Sequence, residues 1–368
     1  MDKNTYKLLT PGPLTTTVPV KEQMLVDRCT WDDDYKQMTQ YIRSELLRLA
    51  HAKADYTTIL MQGSGTFGVE AVFSSVIRNE DKVLIAVNGA YSKRMTAICH
   101  YHHIPYVTIE TKYDSIPDAG DIEKVLQKDG SITHIAMVHS ETTTGILNDI
   151  ASVGALATAY HKKFIVDAMS SFGGVDIDVP AVGITYLISS ANKCIQGVPG
   201  FSFIIARTDD LEQTRGTARS LSLDIYDQWQ IMERDNGKWR FTSPTHVVAA
   251  FAQALKELAA EGGIMVRNAR YVRINRMLRD GMEILGFHAY IDRDIQGPII
   301  TTFLYPQNRV FDFRDMYLYL KARGYVIYPG KLTEQDTFRL GNIGEIYKAD
   351  VKNILHIFAD YMKEGQLI

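Results

Sequence analysis

Two polar side chains that could do chemistry each follow a predicted strand. Asp167 ends the apolar run Phe164–Val166 and is followed by Ala-Met-Ser-Ser-Phe-Gly-Gly. Lys193 comes three residues after the predicted strand Tyr186–Ser190 and precedes a second loop that contains glycine. Open α/β sheets bind ligands outside the carboxyl ends of their strands, so this carboxylate and this amine can face one ligand. Taken singly, each has a simpler interpretation, Asp167 as a helix cap or salt-bridge partner and Lys193 as a surface lysine.

A glycine-rich turn earlier in the chain could hold a phosphate group. Residues 62–68 read Gln-Gly-Ser-Gly-Thr-Phe-Gly, between a predicted strand and a predicted helix. Glycines let the backbone approach an anion, the helix start offers free N–H groups, and Ser64 and Thr66 add hydroxyl donors. The same residues fit the G-x-G-x-x-G motif of dinucleotide-binding folds, which also require an acidic residue at the end of the second strand. Here that strand ends at Asn88, so nicotinamide binding and a turn without a ligand stay open as alternatives.

The three features together favour one cofactor. Pyridoxal phosphate requires a lysine for its covalent link, an acid for its pyridine nitrogen and a cup for its phosphate. The chain supplies them in the order cup, acid and lysine. We therefore predict a pyridoxal 5'-phosphate site built from residues 64–66, Asp167 and Lys193.

The composition narrows the classes of partner. The 368-residue chain has 40 basic and 43 acidic side chains and a formal charge of −3, so we expect no broad basic surface for nucleic acid. We see neither an apolar run long enough for a membrane span nor a signal-peptide pattern. Three separated cysteines, Cys29, Cys99 and Cys194, make no disulfide framework and favour a reducing, cytoplasmic setting. The run Cys99–His103 matches no standard zinc spacing, so we expect no metal site.

The elements that must position these groups are indicated by apolar runs that alternate with helical patterns. Between residues 57 and 206 this alternation predicts an α/β sheet that is mostly parallel, with strands buried on both faces. The predicted strands are Thr57–Gln62, Lys82–Val87, Tyr106–Glu110, His134–His139, Lys163–Asp167, Tyr186–Ser190 and Phe201–Ala206.

The pattern changes after about residue 245. Longer helices and short strands follow, which predicts a smaller α+β domain. The length also suggests about two domains, and we place them at residues 1–245, with an N-terminal arm, and 246–368. The predicted elements of the second part are helices Val247–Leu258, Val266–Leu285 and Lys348–Met362 and strands Pro298–Leu304, Tyr325–Tyr328 and Thr337–Leu340.

Several longer stretches resemble those of one enzyme family. They are Leu9–Thr16, Cys29–Tyr35, His139–Gly145, Val166–Gly174, Ser189–Phe201, Lys238–His246 and Phe338–Glu345. With them the chain resembles, nearly end to end, the class V aminotransferases of the fold type I pyridoxal-phosphate enzymes. The resemblance is strongest to members that move the amino group of 2-aminoethylphosphonate to pyruvate. It implies a mostly parallel seven-stranded sheet with a smaller C-terminal α+β domain, and a homodimer with active sites at the interface.

The resemblance also assigns cofactor roles. Lys193 would bond covalently to the cofactor aldehyde, and Asp167 would pair with the ring nitrogen. Thr142 would hydrogen-bond the ring hydroxyl, and Tyr91 would stack on the ring. The phosphate would be held by Ser64, Gly65 and Thr66 of one subunit and by Thr242 of the other.

Substrate roles follow from the same resemblance. Arg339 would bind the acidic group of the substrate, and Trp31, Pro11–Pro13 and Tyr328 would line the pocket. The implied activity converts 2-aminoethylphosphonate and pyruvate to phosphonoacetaldehyde and L-alanine, by a ping-pong mechanism, in phosphonate degradation. Without the family, an arginine in a late strand could also form a structural ion pair. We interpret the acidic run Asp32–Asp34 as a loop that orders the pocket.

Three other activities stay open. An alanine–glyoxylate or serine–pyruvate aminotransferase would need a pocket only for an α-amino carboxylate. A desulfurase or other lyase would need a nucleophilic cysteine on a mobile loop, for which no candidate stands out. A nicotinamide oxidoreductase is disfavoured by Asn88.

Overall fold

The strands form one large sheet and several small ones. The computed structural model describes residues 6–307 and 311–365. In chain order the strands are β1 Lys7–Leu8, β2 Tyr56–Gln62, β3 Val83–Val87, β4 Tyr106–Glu110, β5 His134–Val138, β6 Ser140–Glu141, β7 Ile146–Leu147, β8 Lys163–Asp167, β9 Tyr186–Ser190, β10 Phe201–Arg207, β11 Ile300–Leu304, β12 Tyr325–Val326, β13 Tyr328–Pro329 and β14 Thr337–Gly341.

The large sheet has seven strands in the order β2-β10-β9-β8-β5-β3-β4. Strand β10 is antiparallel to both of its neighbours, and the other pairs are parallel. The mostly parallel α/β sheet is therefore confirmed, and each predicted strand of this sheet lies within one residue of the observed bounds. Most of its strands are buried along nearly their whole length, because helices cover both faces.

The helices alternate with these strands and then extend into the C-terminal part. They are α1 Val18–Glu22, α2 Asp33–Leu49, α3 Gly65–Val76, α4 Ala90–Tyr101, α5 Ala119–Lys128, α6 Ile150–Ala159, α7 Val179–Val182, α8 Thr208–Glu212, α9 Ile225–Arg234, α10 Thr245–Glu261, α11 Gly263–Ile284, α12 Phe313–Ala322 and α13 Lys348–Glu364, with 3₁₀ turns at Gln23–Leu25 and Arg293–Ile295. Within the described ranges, no helix is both long and apolar enough to cross a membrane.

The loop expected at the acidic run 32–34 is wrong. Asp32 precedes helix α2, and Asp33 and Asp34 form its first turn. Carboxylates are favoured there by the positive end of the helix dipole. The side chains of Ile42 and Leu46 are fully buried one turn apart on the inner face of α2, which anchors the helix on the sheet.

The C-terminal part has its own small sheet, in which β14 lies between β11 and β13. The single strand expected at Tyr325–Tyr328 is in fact two short strands in different sheets, β12 and β13. The N-terminal arm reaches this part, because β1 pairs in parallel with β12 and Leu9 packs in its core. The seven-stranded sheet ends at Arg207, well before the domain boundary expected at residue 245, where α10 begins.

Strand order explains how the candidate groups meet. Strands β8 and β9 are adjacent and parallel, so Asp167 and the segment that carries Lys193 leave the sheet at the same edge. The glycine-rich turn after β2 arrives there because β10 runs antiparallel: Gln62 pairs with Phe201, and the Gly63 N–H donates to the Gly200 carbonyl at 3.0 Å.

Candidate active site

A cavity of about 500 Å³ lies at this edge of the sheet. Its wall combines the glycine-rich turn, the acid and the lysine predicted from the sequence. The lining residues are Pro13, Gly63, Ser64, Gly65, Thr66, Val69, Tyr91, Arg94, Asp167, Met169, Ser190, Asn192, Lys193, Pro199 and Gly200.

Lys193 is half-buried in the cavity wall. Its Nζ donates a 2.6 Å hydrogen bond to the carbonyl oxygen of Pro11. A side chain at Gly12 would come within 3.0 Å of that Nζ, so the N-terminal arm lies directly over the amine. Burial lowers the pKa of Lys193, which favours the uncharged, nucleophilic amine.

A buried arginine fixes the backbone just after this lysine. Arg267 on α11 donates through Nη1 to the carbonyls of Cys194 and Ile195 at 3.0 and 3.2 Å. The carboxylate of Glu261 pairs with both Arg267 and Arg270 at 2.7 Å. Helix α11 thus positions the loop that carries Lys193.

Asp167 ends strand β8 and is almost fully buried. Its Oδ1 accepts a 2.9 Å hydrogen bond from the Met169 N–H. Burial raises the pKa of this carboxyl to about 6, and the charge of Glu141 adds to the rise, while Arg94 and Lys193 oppose it. A cation or a protonated ring nitrogen beside Asp167 would stabilise its ionised form.

The glycine-rich turn has the shape of an anion cradle. Ser64 precedes the first turn of α3, and its side chain does not cap the helix. A Cβ at Gly65 would lie 2.3 Å from the sulfur of Met169, so only glycine fits this wall without a shift. The first N–H groups of α3 therefore lie open next to the hydroxyls of Ser64 and Thr66.

Arg94 is a candidate phosphate ligand that the sequence reasoning missed. Its Nη1 donates to the Thr66 Oγ1 at 2.9 Å, and it lines the cavity. The guanidinium carbon lies 4.9 Å from the centre of the Tyr91 ring. The spacing Tyr91-x-x-Arg94 could have revealed it, because residues three apart share one face of a helix.

Tyr91 lies at the wall of the cavity, next to several cationic side chains. Its hydroxyl accepts a 3.0 Å hydrogen bond from the Nζ of Lys331. Burial alone would raise the pKa of Tyr91, but the hydrogen bond from Lys331 and the charge of Lys193 bring it down to about 8. The predicted ring-stacking position is thus occupied by an aromatic side chain with an unusually acidic hydroxyl.

Arg339 is buried on β14 beside the cavity but is not part of its lining. Its Nε and Nη1 each donate at 3.0 Å, to the carbonyls of Pro329 and Thr142 respectively. The Tyr328 ring centre lies 5.9 Å from the guanidinium carbon. Burial lowers the pKa of Arg339, whereas the charge of Tyr91 raises it. The structure therefore brings Arg339, Thr142, Tyr328 and Tyr91 together.

Glu141 is a second residue whose role the sequence reasoning missed. It is fully buried, and its carboxylate accepts from the Thr143 hydroxyl at 2.6 Å and from the Ser92 N–H at 3.2 Å. Burial raises its pKa, and these hydrogen bonds oppose the rise. A Cβ at Gly89 would lie 2.2 Å from its Cδ. Glu141 thus joins the start of α4, which carries Tyr91, to the loop that carries Thr142.

Two predicted site residues lie on the surface of this single chain. Trp31 is 71% exposed, and Thr242 is exposed as well. The Nζ of Lys238 lies 5.4 Å from the Trp31 ring, so Trp31 and the segment before Thr242 share one surface.

The donor set fits pyridoxal 5'-phosphate. The cavity holds a half-buried amine, a buried carboxylate and a glycine cradle flanked by Arg94 and two hydroxyls. These are the groups required by an aldehyde, a pyridine nitrogen and a phosphate.

Comparisons with known proteins give the same assignment. The family model described as "Aminotransferase class-V" matches residues 29–344. A 2-aminoethylphosphonate–pyruvate transaminase from Lysinibacillus sphaericus is 54% identical over 358 residues, 97% of each chain. One from Klebsiella pneumoniae is 55% identical, over 96% of this chain and 97% of its own. The alanine–glyoxylate aminotransferase structure from Nostoc sp. superposes with a TM-score of 0.90 at 22% identity, over 98% of this chain and 96% of its own. With the cavity, the lysine and the acid in their expected places, the chain belongs to the class V aminotransferases, the pyridoxal-phosphate enzymes of fold type I.

Proposed function

We propose that the protein transfers the amino group of 2-aminoethylphosphonate to pyruvate, giving phosphonoacetaldehyde and L-alanine. Two observations support this reaction. Relatives named 2-aminoethylphosphonate–pyruvate transaminase are 54–55% identical over nearly the whole chain. Next to the Lys193 cavity, Arg339 and Lys331 both lie against Tyr91, which offers positive charge to an anionic substrate.

The roles of the chain's own residues follow from their placement. The bound cofactor supplies a place for the electron pair that remains when a proton leaves the carbon beside the substrate nitrogen. Lys193, once released from its covalent link, would be the amine that takes up that proton and delivers it to the former aldehyde carbon of the cofactor. Asp167, when ionised, keeps the proton on the ring nitrogen. The Pro11 carbonyl at 2.6 Å orients the lysine amine.

The phosphate ligands we propose are the first-turn N–H groups of α3 with Ser64, Gly65 and Thr66. Arg94 would add a charge-assisted contact, since it already donates to the Thr66 hydroxyl. Thr142 is buried beside Arg339, in reach of a group held between Tyr91 and Lys193.

We also propose a homodimer in which Thr242 completes the partner's phosphate site. Trp31, Phe67 and Phe241 are large apolar side chains that are largely exposed, and such surfaces mark interaction sites. Phe67 follows the cup residue Thr66, and Phe241 precedes Thr242. A partner that covers these rings would bring Thr242 towards the cradle and bury Trp31.

The lyase alternative has little support in the site. Cys194 is fully buried, and burial raises the pKa of its thiol to about 12. A nucleophilic thiol needs the opposite shift.

The three unpaired thiols, one exposed and two buried, support a reducing, cytoplasmic location.

A donor assay tests the proposed function. The purified holoenzyme is given pyruvate with 2-aminoethylphosphonate, L-serine or L-glutamate as donor, and alanine is measured. We expect turnover with the phosphonate far above the other donors. Efficient turnover of serine without the phosphonate would instead assign a serine–pyruvate aminotransferase.

A further inference from the structure

Two cations beside the cavity have no carboxylate partner among the residues that the structure describes. Arg339 is held by the carbonyls of Pro329 and Thr142, and Lys331 by the hydroxyl of Tyr91. The ion pairs found within residues 6–307 and 311–365 include neither of them. Other buried arginines of the chain, such as Arg267 and Arg270, do have a carboxylate partner. Positive charge left uncompensated beside a ligand cavity is suited to an anionic ligand.

Both cations act on Tyr91. Lys331 Nζ donates to the Tyr91 hydroxyl at 3.0 Å and lies 4.4 Å from the ring centre. Arg339 is near enough to this tyrosine for the charge of Tyr91 to raise the pKa of the guanidinium. An oxygen placed between a guanidinium and an ammonium has the surroundings that a phosphonate oxygen would require.

The small sheet explains why both cations come from one hairpin. Tyr328 pairs with Arg339 across β13 and β14, and Lys331 lies in the turn that joins these strands. Arg339 is buried, whereas Lys331 is exposed and can move. A rigid fork and a mobile point charge thus approach the cavity from the same side.

The two half-reactions present anions of different charge. Pyruvate and alanine carry one carboxylate with a single negative charge. A phosphonate carries close to two negative charges near neutral pH, as phosphate monoesters do, and has a third oxygen. One guanidinium satisfies a carboxylate through a two-point contact, which leaves part of a phosphonate unpaired.

We propose that Lys331 is the residue that selects the phosphonate: its ammonium exchanges the Tyr91 hydroxyl for the third phosphonate oxygen, while Arg339 binds either acid. This inference rests on the proposed function and explains how the site distinguishes the phosphonate donor from a carboxylate substrate. The step is non-covalent, and the Tyr91 hydroxyl keeps its proton.

Calorimetry on the holoenzyme tests this with two unreactive probes, ethylphosphonate and propionate. In Lys331→Met the Kd of ethylphosphonate should rise about tenfold, the low end for a charge-assisted hydrogen bond at an exposed site. The Kd of propionate should change by less than about twofold, and Lys331→Arg should keep most of the affinity. Lys321, whose ammonium lies 5.6 Å from the Tyr6 ring and outside the cavity lining, gives the control Lys321→Met, which should change neither.

A second readout follows the tyrosine. Ultraviolet titration of tyrosinate, taken as the difference from Tyr91→Phe, should show Tyr91 ionising at higher pH in Lys331→Met than in wild type. An equal loss for both probes, no loss for ethylphosphonate, or no binding of ethylphosphonate to wild type would overturn the proposal. If the proposed function itself is wrong, the wild-type enzyme will form no alanine from pyruvate and 2-aminoethylphosphonate, which is a different result from those above.

Discussion

At the scale of single residues, the cavity keeps ionisable groups where burial disfavours their charged forms. Burial raises the pKa of Asp167 to about 6 and lowers that of Lys193. Both shifts cost folding free energy at neutral pH if the groups are charged. A cofactor with a protonated ring nitrogen and an aldehyde relieves both, so ligand binding and stability are coupled at these two positions.

Asp167→Asn should stabilise the cofactor-free chain at neutral pH and abolish turnover. The native pKa of Asp167 lies above its unfolded value of 3.8, so stability is lost as pH rises from about 4 through about 6. The variant should therefore show a higher Tm than wild type above pH 6 and a smaller difference near pH 4. Thermal unfolding of the apo protein from pH 4 to above pH 6 measures this difference in Tm. Asp55→Asn, which changes an exposed acid, is the control. A lower Tm at pH 8 would contradict the assignment of burial as the main cause.

Arg339→Lys should raise KM for both substrates. The variant keeps a charge but loses the fork that contacts two oxygens at once and that the Pro329 and Thr142 carbonyls hold in place. We expect roughly a tenfold rise or more for each substrate, measured from steady-state kinetics with each substrate varied in turn. A rise confined to one substrate would show that a single arginine does not serve both half-reactions.

At the scale of elements, the joint between α4 and the loop after β5 positions Tyr91 and Thr142. The buried Glu141 carboxylate is its centre. Gly89, just before α4, leaves space for that carboxylate. The closeness of the backbone there, and not any special backbone angle, requires a glycine.

Gly89→Ala should loosen this joint. The added methyl group would overlap the Glu141 carboxylate, and overpacking of this kind costs about 1–3 kcal/mol. We expect a lower Tm and weaker cofactor binding, read from the free energy of unfolding and from cofactor titration. Gly130→Ala, where a new Cβ meets nothing within 4 Å, is the matched control and should leave both unchanged. Equal behaviour of the two variants would show that the joint tolerates displacement.

The elements also show what could be read from the sequence. Strands β8 and β9 were predicted to the residue because strands buried on both faces appear as continuous apolar runs. The bounds of the edge strand β4 were also predicted, although its residues alternate between exposed and partly buried. Helix α2 was missed because its buried positions are interspersed with charged residues. Arg94 lies one helical turn after Tyr91 on α4, a spacing that carried a usable signal. Lys331 reaches the site through tertiary packing, and nothing in its sequence neighbourhood signals a ligand.

At the scale of the whole molecule, a single chain does not bring all the predicted site residues together, because Thr242 and Trp31 are exposed on its surface. The proposed dimer supplies a use for both. The cavity at the sheet edge contains the acid, the lysine and the phosphate cup. The surface near Lys238 carries Thr242, which would complete the phosphate site of the neighbouring subunit.

Mixing two inactive variants tests this arrangement. Thr242→Glu should weaken cofactor binding in the partner's site through charge repulsion with the phosphate, and Lys193→Ala should remove the reactive amine. Subunits of the two, exchanged by mild denaturation and refolding, should regain activity because one site of each mixed dimer then holds an intact Lys193 and an intact Thr242. Activity per mixed dimer should reach about half that of wild type, since one of two sites is complete. No recovery, with subunit exchange verified by mass, would place Thr242 in its own subunit's site.

The N-terminal arm has a consequence for biosynthesis. Lys7 contacts the carbonyl of Glu345, 338 residues later in the chain, and Pro11 contacts Lys193 across 182 residues. Translation therefore produces the arm long before β12 and β14, the strands that hold it, and such distant contacts form late. A ribosome-bound chain that ends near residue 245 would have its sheet but lack the anchor for the Pro11 carbonyl. We expect such nascent chains to bind the cofactor weakly and full-length released chains to bind it tightly, so maturation of the lysine site coincides with the completion of synthesis.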